Sequence, residues 1–346
     1  MSEQTVTLIR GDDFHCHLRR GGILKLVTGY TALQFKRALI MPNTDPPILT
    51  GQDALNYRSE VLSAVPPCVN FEPLMTIQIN DYTTPDMIKR AYQAEVVAGK
   101  AYPLGVTTNS RNGVTSFPKI YPVFEKMERV GMVLSIHGES PIHSLFCLDR
   151  EKMFLHTLED IVAAFPNLKI VLEHITTKEA VELIEYLPKN VAATITVHHL
   201  LLSLNDVVGG SIEPHNFCKP VAKTPKDRAA LWEAIKSGNP KFFYGGDSAP
   251  HLKEKKECAH GRAGVFNAPV ALPLLVQLFE EHDALGKLEG FISVFGAIFY
   301  GLGLEGKRIE LVKEDWVVPN CYNNVQSDIV IVPFLAGETL QWQVAR

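Results

Sequence analysis

The stretch from 168 to 200, LKIVLEHITTKEAVELIEYLPKNVAATITVHHL, decides the fold. It begins with an apolar run over 168–175, and apolar residues then recur three or four apart over 177–187. A second β-rich run follows over 191–200. Apolar runs on either side of a helical period indicate a strand, a helix and a second strand. Two strands joined through a helix lie parallel, so the stretch predicts one β–α–β unit.

The same pattern recurs in both directions along the chain. Further strands are predicted at 8–18, 37–43, 71–79, 96–103, 132–139 and 241–251, and further helices at 85–95, 118–131 and 226–238. Eight such units close into a barrel, so we predict an α/β fold, a (β/α)8 TIM-type barrel with short terminal additions. We expect one domain over 1–346. A doubly wound open sheet is the alternative, but the glycine-rich phosphate turn after its first strand is absent from the sequence.

The segment after the eighth predicted strand extends the barrel. Helical periodicity returns near 268–284 and 289–301, and β-rich runs follow at 328–334 and 340–346. We expect this β-rich tail to pair with the N-terminal segment.

Composition excludes several classes of function. The 346 residues carry a formal charge of −4 without a block of like charges, so no nucleic-acid or membrane-surface partner is expected. Apolar stretches stay well short of the roughly 18 residues of a membrane span, and the first residues do not read as a secretory signal. The six cysteines are dispersed without a C-x-x-C pair, which predicts reduced thiols and a cytoplasmic location.

Polar residues interrupt the apolar runs where the predicted strands end. These residues are His15, His17, Lys100, His137, His174 and Asp247. Two residues that are two positions apart on a strand face the same side, as the histidines of the H-x-H pair do. In a barrel the C-terminal ends of the strands meet at one mouth, where imidazole and carboxylate groups suit zinc or a similar divalent ion.

Each of these residues has an ordinary structural explanation when it is taken alone. A single histidine after a strand is usually a hydrogen-bonded core residue, a lysine near a strand end is usually solvated, and an aspartate before Ser-Ala-Pro forms a turn. The convergence of the group on one mouth favours a metal site. His198 and His199 end the seventh predicted strand, where neighbours point to opposite faces, so at most one faces the mouth. We predict a structural role for both.

The ordered set of motifs resembles dihydroorotase, the cyclic amidohydrolase of pyrimidine biosynthesis, in its short monofunctional form. The resemblance runs from DFHCHLR to VPFLAGETLQW. The motifs are HCHLR (15–19), MPNTDPP (41–47), KAYP (100–103), GVTTNS (105–110), HGE (137–139), EHITTK (173–178), GDSAPH (246–251) and AGVFNAP (263–269).

The resemblance implies two divalent ions per chain, and zinc is the expected metal. His15, His17 and Asp247 match the ligands of the first ion. His137 and His174 match those of the second ion. Lys100 matches a lysine that reacts with carbon dioxide to form a carbamate bridging both ions.

The resemblance also implies a substrate pocket. Arg19, Asn43 and His251 match residues that hold the substrate carboxylate. The backbone at Lys219 and at Ala263–Gly264 matches contacts to the ring amides, and a lysine at 219 departs from the usual apolar residue.

The loop over 104–113 matches a mobile lid that closes on the substrate. Thr107 and Thr108 match its contacts to the substrate, and we expect the loop to be open without ligand.

The implied reaction is the reversible cyclisation of N-carbamoyl-L-aspartate to L-dihydroorotate and water. Its nucleophile in the hydrolytic direction is a hydroxide shared by the two metals. The metal held by His137 and His174 polarises the reacting carbonyl, and Asp247 transfers the proton. The resemblance further implies a homodimer that acts on a small molecule.

Three alternatives have their own discriminating features. A dihydropyrimidinase or hydantoinase needs no carboxylate anchor, which argues against it beside Arg19, Asn43 and His251. A mononuclear deaminase on the same barrel would not need Lys100 in an apolar strand. An inactive scaffold homologue usually loses metal ligands, and all six are present here.

Overall fold

The structure is a computed structural model, and it describes residues 4–304, 306–324 and 328–345. At its centre, eight parallel strands pair in sequence order, which confirms the predicted barrel. A short strand, β1 (Thr5–Ile9), precedes them. The barrel strands are β2 (Asp12–Cys16), β3 (Arg37–Ile40), β4 (Glu72–Ile79), β5 (Ala98–Ala101), β6 (Val133–His137), β7 (Ile170–Glu173), β8 (Val191–Ile195) and β9 (Phe242–Tyr244).

The barrel closes where the end of β2 meets the residues that follow β9. The carbonyl of His15 accepts a hydrogen bond from the amide of Asp247 at 2.7 Å, and the carbonyl of Ser248 accepts one from the amide of His17 at 3.0 Å. Because these bonds form the seam, three of the sequence-predicted metal ligands are brought together by barrel closure itself.

Helices cover the outside of the barrel and extend it after β9. Thr177 caps the helix over 178–186 through its side chain, which accepts the amide of Ala180, and Thr224 and Asp227 form a capping box on the helix that follows them. The helices are α1 (Gly21–Gln34), α2 (Gly51–Ala64), α3 (Pro85–Gln93), α4 (Tyr121–Val130), α5 (Arg150–Ala164), α6 (Lys178–Tyr186), α7 (Val197–Leu201), α8 (Asn205–Val208), α9 (Pro225–Ser237), α10 (Lys253–Lys256), α11 (Ala271–Glu281), α12 (Leu285–Glu289) and α13 (Phe295–Tyr300). Two 3₁₀ turns lie at Phe117–Ile120 and Pro214–Asn216, and one π-helical turn lies at Gly290–Val294.

Each predicted strand is longer than the observed one, most of all 241–251, where the strand is Phe242–Tyr244. Two of the predicted strands also differ in kind. The run over 8–18 is divided between β1, which belongs to a separate three-stranded sheet, and β2, which begins the barrel. Gly11 lies between them, where a β-carbon would be 2.5 Å from the carbonyl oxygen of Ile292. The run over 191–200 ends at Ile195, and His198 and His199 lie on α7. The argument from alternating strand faces was therefore wrong for these two histidines.

The tail was predicted only in part. β13 (Thr339–Val344) pairs with β10 (Arg308–Val317), which the sequence did not predict, and β10 in turn pairs with β1. The tail therefore reaches the N-terminal strand through an intervening strand. The run over 328–334 contains β12 (Val330–Ile331), which pairs with β11 (Tyr322–Asn323) instead. Arg346, the last residue of the predicted tail, lies outside the described residues.

An apolar layer closes the barrel interior below the mouth. Phe14 stacks on Tyr300 with ring centroids 4.7 Å apart and meets Phe243 edge-on at 5.3 Å. Each barrel strand contributes one side chain to this buried floor: Phe14, Leu39, Leu74, Ala98, Val133, Val171, Ala192 and Phe243. Such a layer keeps water from reaching the mouth through the barrel.

None of the helices over the described residues combines the length and the apolar character needed to cross a membrane.

Candidate active site

A polar layer lies directly above the apolar floor. Two residues beyond the floor residue on β5, β6, β7 and β8, the side chain again faces the interior because a strand repeats every two residues. These positions hold Lys100, Ser135, Glu173 and Thr194, which are all buried. The alternation that makes the floor apolar therefore makes the next layer polar.

His15, His17 and Asp247 converge at the barrel seam. The Nε2 atoms of His15 and His17 are 3.3 Å apart, and Asp247 Oδ1 lies 3.4 Å from the first and 3.1 Å from the second. Asp247 takes a left-handed backbone conformation with φ of 44°, which is uncommon for a residue other than glycine. Three donors of this kind within reach of one point suit a divalent ion.

His137 and His174 lie on the other side of His15. The ring of His174 is 4.9 Å from that of His15 and 4.8 Å from that of His137, measured between centroids. Burial lowers the pKa of His15, His17 and His174. These imidazoles are neutral, which is the form that binds a metal.

Lys100 supplies the clearest sign that a group belongs in this space. Its side chain is completely buried, and its Nζ has no hydrogen-bond partner among the described residues. The ring of Tyr102 lies 5.2 Å from Nζ, and burial lowers the pKa of Lys100 to about 8. Nδ1 of His174 is also buried and unpartnered over the described part of the chain. A donor set of four imidazoles, a carboxylate and an unsatisfied amine fits metal binding.

The site also contains two buried carboxylates that the sequence analysis did not identify as site residues. Oε2 of Glu173 accepts hydrogen bonds from Nδ1 of His15 at 3.0 Å and from the hydroxyl of Thr194 at 2.6 Å. Glu139 lies 2.7 Å from Nε2 of His137. A carboxylate behind a ligand histidine fixes its ring and tautomer. The signal for Glu173 was present, since a charged residue ends the apolar run IVLE.

Arg19 lies beside the metal-ligand group with its guanidinium held from behind. Its Nε donates to the carbonyl of Pro250 at 3.1 Å, and its Nη2 lies 3.1 Å from Nε2 of His251. Burial lowers the pKa of Arg19, but a guanidinium stays charged at any physiological pH. The pocket therefore contains a buried cation whose hydrogen-bond contacts are a backbone carbonyl and an imidazole.

The loop over 104–113 covers the pocket in this structure. The Asn43 side-chain amide donates to the carbonyl of Thr108 at 3.1 Å, and Asn109 donates back to the carbonyl of Asn43 at 2.9 Å. Thr107 and Thr108 line the pocket. The structure thus places both threonines over the metal-ligand group, and the opening of the loop stays a prediction.

Backbone from two further segments forms the opposite wall. Lys219, Ala263 and Gly264 line the pocket. Gly264 has φ of 146°, and a β-carbon there would lie 2.7 Å from the carbonyl oxygen of Ala249, so only glycine fits. The amide of Gly264 donates to the carbonyl of Phe217 at 2.9 Å, which ties the two segments together.

A second buried group contains His198, His199 and Cys218. Most of its polar atoms already have other partners: His198 Nδ1 pairs with Asn267 at 2.9 Å, and His199 Nε2 lies 3.0 Å from the carbonyl of Pro220, while Nε2 of His198 has no partner among the described residues. Burial raises the pKa of the Cys218 thiol to about 12, so it does not form the thiolate that a metal needs. These contacts favour the structural role predicted for both histidines.

The barrel and its mouth define a metal-dependent hydrolase of the barrel class. The chain is 49% identical over 343 residues to a dihydroorotase of Aromatoleum aromaticum, a match that covers 99% of each protein. The chain belongs to the dihydroorotase family.

Solved structures agree with this assignment. A crystal structure of dihydroorotase from Campylobacter jejuni matches with a TM-score of 0.92 and 39% identity over 100% of this chain and 99% of that one. A dihydroorotase of Saccharomyces cerevisiae in complex with 5-fluoroorotic acid matches with a TM-score of 0.92 and 39% identity over 99% and 98% of the two chains. No family model matches the chain.

Replacement of Glu173 by Gln tests the role of the buried carboxylate behind His15. The substitution removes the charge of Glu173, so the imidazole of His15 loses its orienting carboxylate. We therefore expect metal affinity to fall about 10- to 100-fold. Competition with a chromogenic chelator measures this change. Glu182→Gln, on the exposed face of α6, is the matched control and should bind metal like the parent. Equal metal affinity in all three proteins would show that Glu173 does not orient His15.

Proposed function

We propose that the chain catalyses the reversible interconversion of N-carbamoyl-L-aspartate and L-dihydroorotate, with release or uptake of water. As a dihydroorotase it is a hydrolase that acts on cyclic amides. The observation that carries the choice of substrate is the buried Arg19, which faces the same pocket as the metal-ligand group. Both substrates have a carboxylate for this cation, whereas a plain hydantoin or dihydropyrimidine ring does not. The structure of the yeast relative is a complex with 5-fluoroorotic acid, which also carries a carboxylate.

The residues at the mouth divide between two ions. His15, His17 and Asp247 would hold the first, and His137 and His174 would hold the second. We propose zinc for both ions, which when bound would supply an acidified water as nucleophile and polarise the ring carbonyl.

Lys100 would connect the two positions as a carbamate. Its neutral amine would attack the carbon of carbon dioxide as one C=O π bond breaks, and the nitrogen would then lose a proton to water. The product would have an anionic two-oxygen head on the same stem. This change removes an ammonium from a site that cannot solvate it and supplies a ligand that divalent ions prefer. Because burial lowers the pKa of Lys100 to about 8, its neutral amine is readily accessible.

Asp247 is the residue placed to move the proton. Burial raises the pKa of its carboxyl group, and its Oδ1 lies among the imidazole nitrogens at the seam. In hydrolysis Asp247 accepts the proton of the attacking water and delivers it to the leaving amide nitrogen. In cyclisation Asp247 acts in the opposite direction and protonates the departing hydroxyl.

The remaining pocket residues position the substrate. Arg19 would offer a planar pair of donors to the carboxylate, His251 contacts its guanidinium, and Asn43 lines the same pocket. The backbone of Lys219 and Gly264 faces the ring amides from the opposite wall. Because the proposed contact between position 219 and the ring amides uses backbone groups, a lysine side chain at that position leaves the contact intact. Holding the carboxylate fixes the reacting carbonyl over the metals, which contributes to the rate through position.

Three finer features belong to the same proposal. All six cysteines are unpaired, which suits a reducing compartment such as the cytoplasm. We also propose a homodimer and a closing lid over 104–113, with Thr107 and Thr108 as its contacts to the substrate.

Purified protein expressed with added bicarbonate tests the function. We expect about two divalent ions per chain and metal-dependent hydrolysis of dihydroorotate, followed by its ultraviolet absorbance. Removal of metal with a chelator should abolish the activity, and zinc should restore it. Full activity with one ion per chain would refute the two-metal proposal, and inactivity of the fully loaded protein would refute the function.

Arg19→Met tests the choice of substrate. Truncation of one partner of a buried charge pair costs about 2–5 kcal/mol, so kcat/KM for dihydroorotate should fall tens- to thousands-fold. The metal content should stay unchanged, because Arg19 is not a ligand. Arg20→Met, next to it but paired with Glu60 at the surface, should keep the parent kcat/KM. Loss of metal from Arg19→Met would contradict its role as the carboxylate anchor.

A further inference from the structure

Lys256 is a buried lysine that the proposed reaction does not use. It ends α10 and is 3% exposed, whereas Lys253 and Lys255 on the same helix are exposed. Those two lysines pair with the carboxylates of Glu257 and Glu254. Lys256 makes no ion pair with a carboxylate among the described residues, so its charge has no local counterion there.

The Lys256 ammonium bonds to the back of the pocket wall. Its Nζ donates to the carbonyl of Gly264 at 2.6 Å and to the carbonyl of Phe217 at 3.0 Å. The Phe217 carbonyl also accepts from the amide of Gly264. One cation therefore ties together both segments whose other face, at Lys219 and Ala263–Gly264, lines the pocket.

The groups that face Lys256 from neighbouring elements do not neutralise it. They are Cys218, His198 and His251. Burial raises the pKa of Cys218 to about 12 and lowers the pKa of both histidines, so all three are uncharged near neutral pH. The charged groups of its own helix are turned toward solvent. An ammonium in such surroundings is stabilised by an anion that enters nearby.

We propose that Lys256 is a positioning and specificity residue, which holds the ring-edge wall in place and uses its charge to favour anionic ring substrates. This inference rests on the proposed function, because it takes the carboxylate-bearing ring as the ligand. Arg19 then contacts the carboxylate directly, while Lys256 acts from behind the backbone of the opposite wall. A positively charged pocket of this kind discriminates against neutral cyclic amides of the same size.

The charge of Lys256 makes KM depend on pH, which a purely structural lysine would not do. Burial lowers the pKa of Lys256 to about 8. A lysine is charged below its pKa, so the contribution to substrate binding is complete at lower pH and is lost as the pH rises through that value. KM should therefore increase by up to about tenfold per pH unit above it.

The experiment compares the parent holoenzyme with Lys256→Met, which keeps the apolar stem and removes the charge. Lys253→Met, from the exposed side of the same helix, is the matched control. KM and kcat for dihydroorotate are measured between about pH 6.5 and 9.5. Metal content and Tm are determined for each protein.

We expect Lys256→Met to raise KM at pH 7 about 10- to 100-fold, with a smaller effect on kcat and with unchanged metal content. Its KM should no longer depend on pH above 8, and Lys253→Met should match the parent throughout. A parent-like KM and pH profile in Lys256→Met would overturn the inference. So would an equal fall in kcat and metal content, which marks a merely structural lysine. Those results come from an active parent enzyme, whereas an inactive parent would refute the proposed function itself.

Discussion

The arrangement of the site follows from one constraint: a charged group above the barrel floor cannot be left uncompensated, because the floor keeps water out. Lys100 is the residue most affected by this constraint, since its Nζ is buried without a hydrogen-bond partner among the described residues. The carboxylates of Glu173 and Asp247 favour its ammonium form, but burial outweighs them and lowers the pKa of Lys100 to about 8. In the function proposed above, conversion to an anionic carbamate beside two dications would remove the buried ammonium and supply both metals with a ligand.

Barrel closure then determines which residues surround Lys100. The seam bonds between His15 and Asp247 and between His17 and Ser248 are backbone contacts, so the ligands meet wherever the barrel closes. Asp247 and His174 both adopt φ of 44°, a conformation that costs free energy outside glycine. The packed strands on both sides hold these residues in place, and the strain accompanies a site that is positioned before the substrate arrives.

The sequence predicted the barrel and the placement of its polar residues because both depend on local periodicity. The run over 8–18 was not resolved into two strands, since its first part pairs with β10, far along the chain, and its second part pairs with β3. The helix that carries His198 and His199 was missed for a similar reason, as its short apolar run has no helical period of its own. Contacts such as those of Glu173 and Lys256 depend on which segments meet in space, which a single sequence does not show. The ligand pairs and the carbamate came from family resemblance, and no spacing rule would have assigned them.

The carbamate on Lys100 is the central claim, and carbon-13 NMR tests it most directly. The protein is loaded with ¹³C-bicarbonate and zinc, and its spectrum is compared with that of Lys100→Ala prepared in the same way. We expect one carbamate carbonyl resonance in the parent protein that is absent from Lys100→Ala and disappears when the metal is removed at low pH. A fully active, metal-loaded parent protein without that resonance would contradict the account.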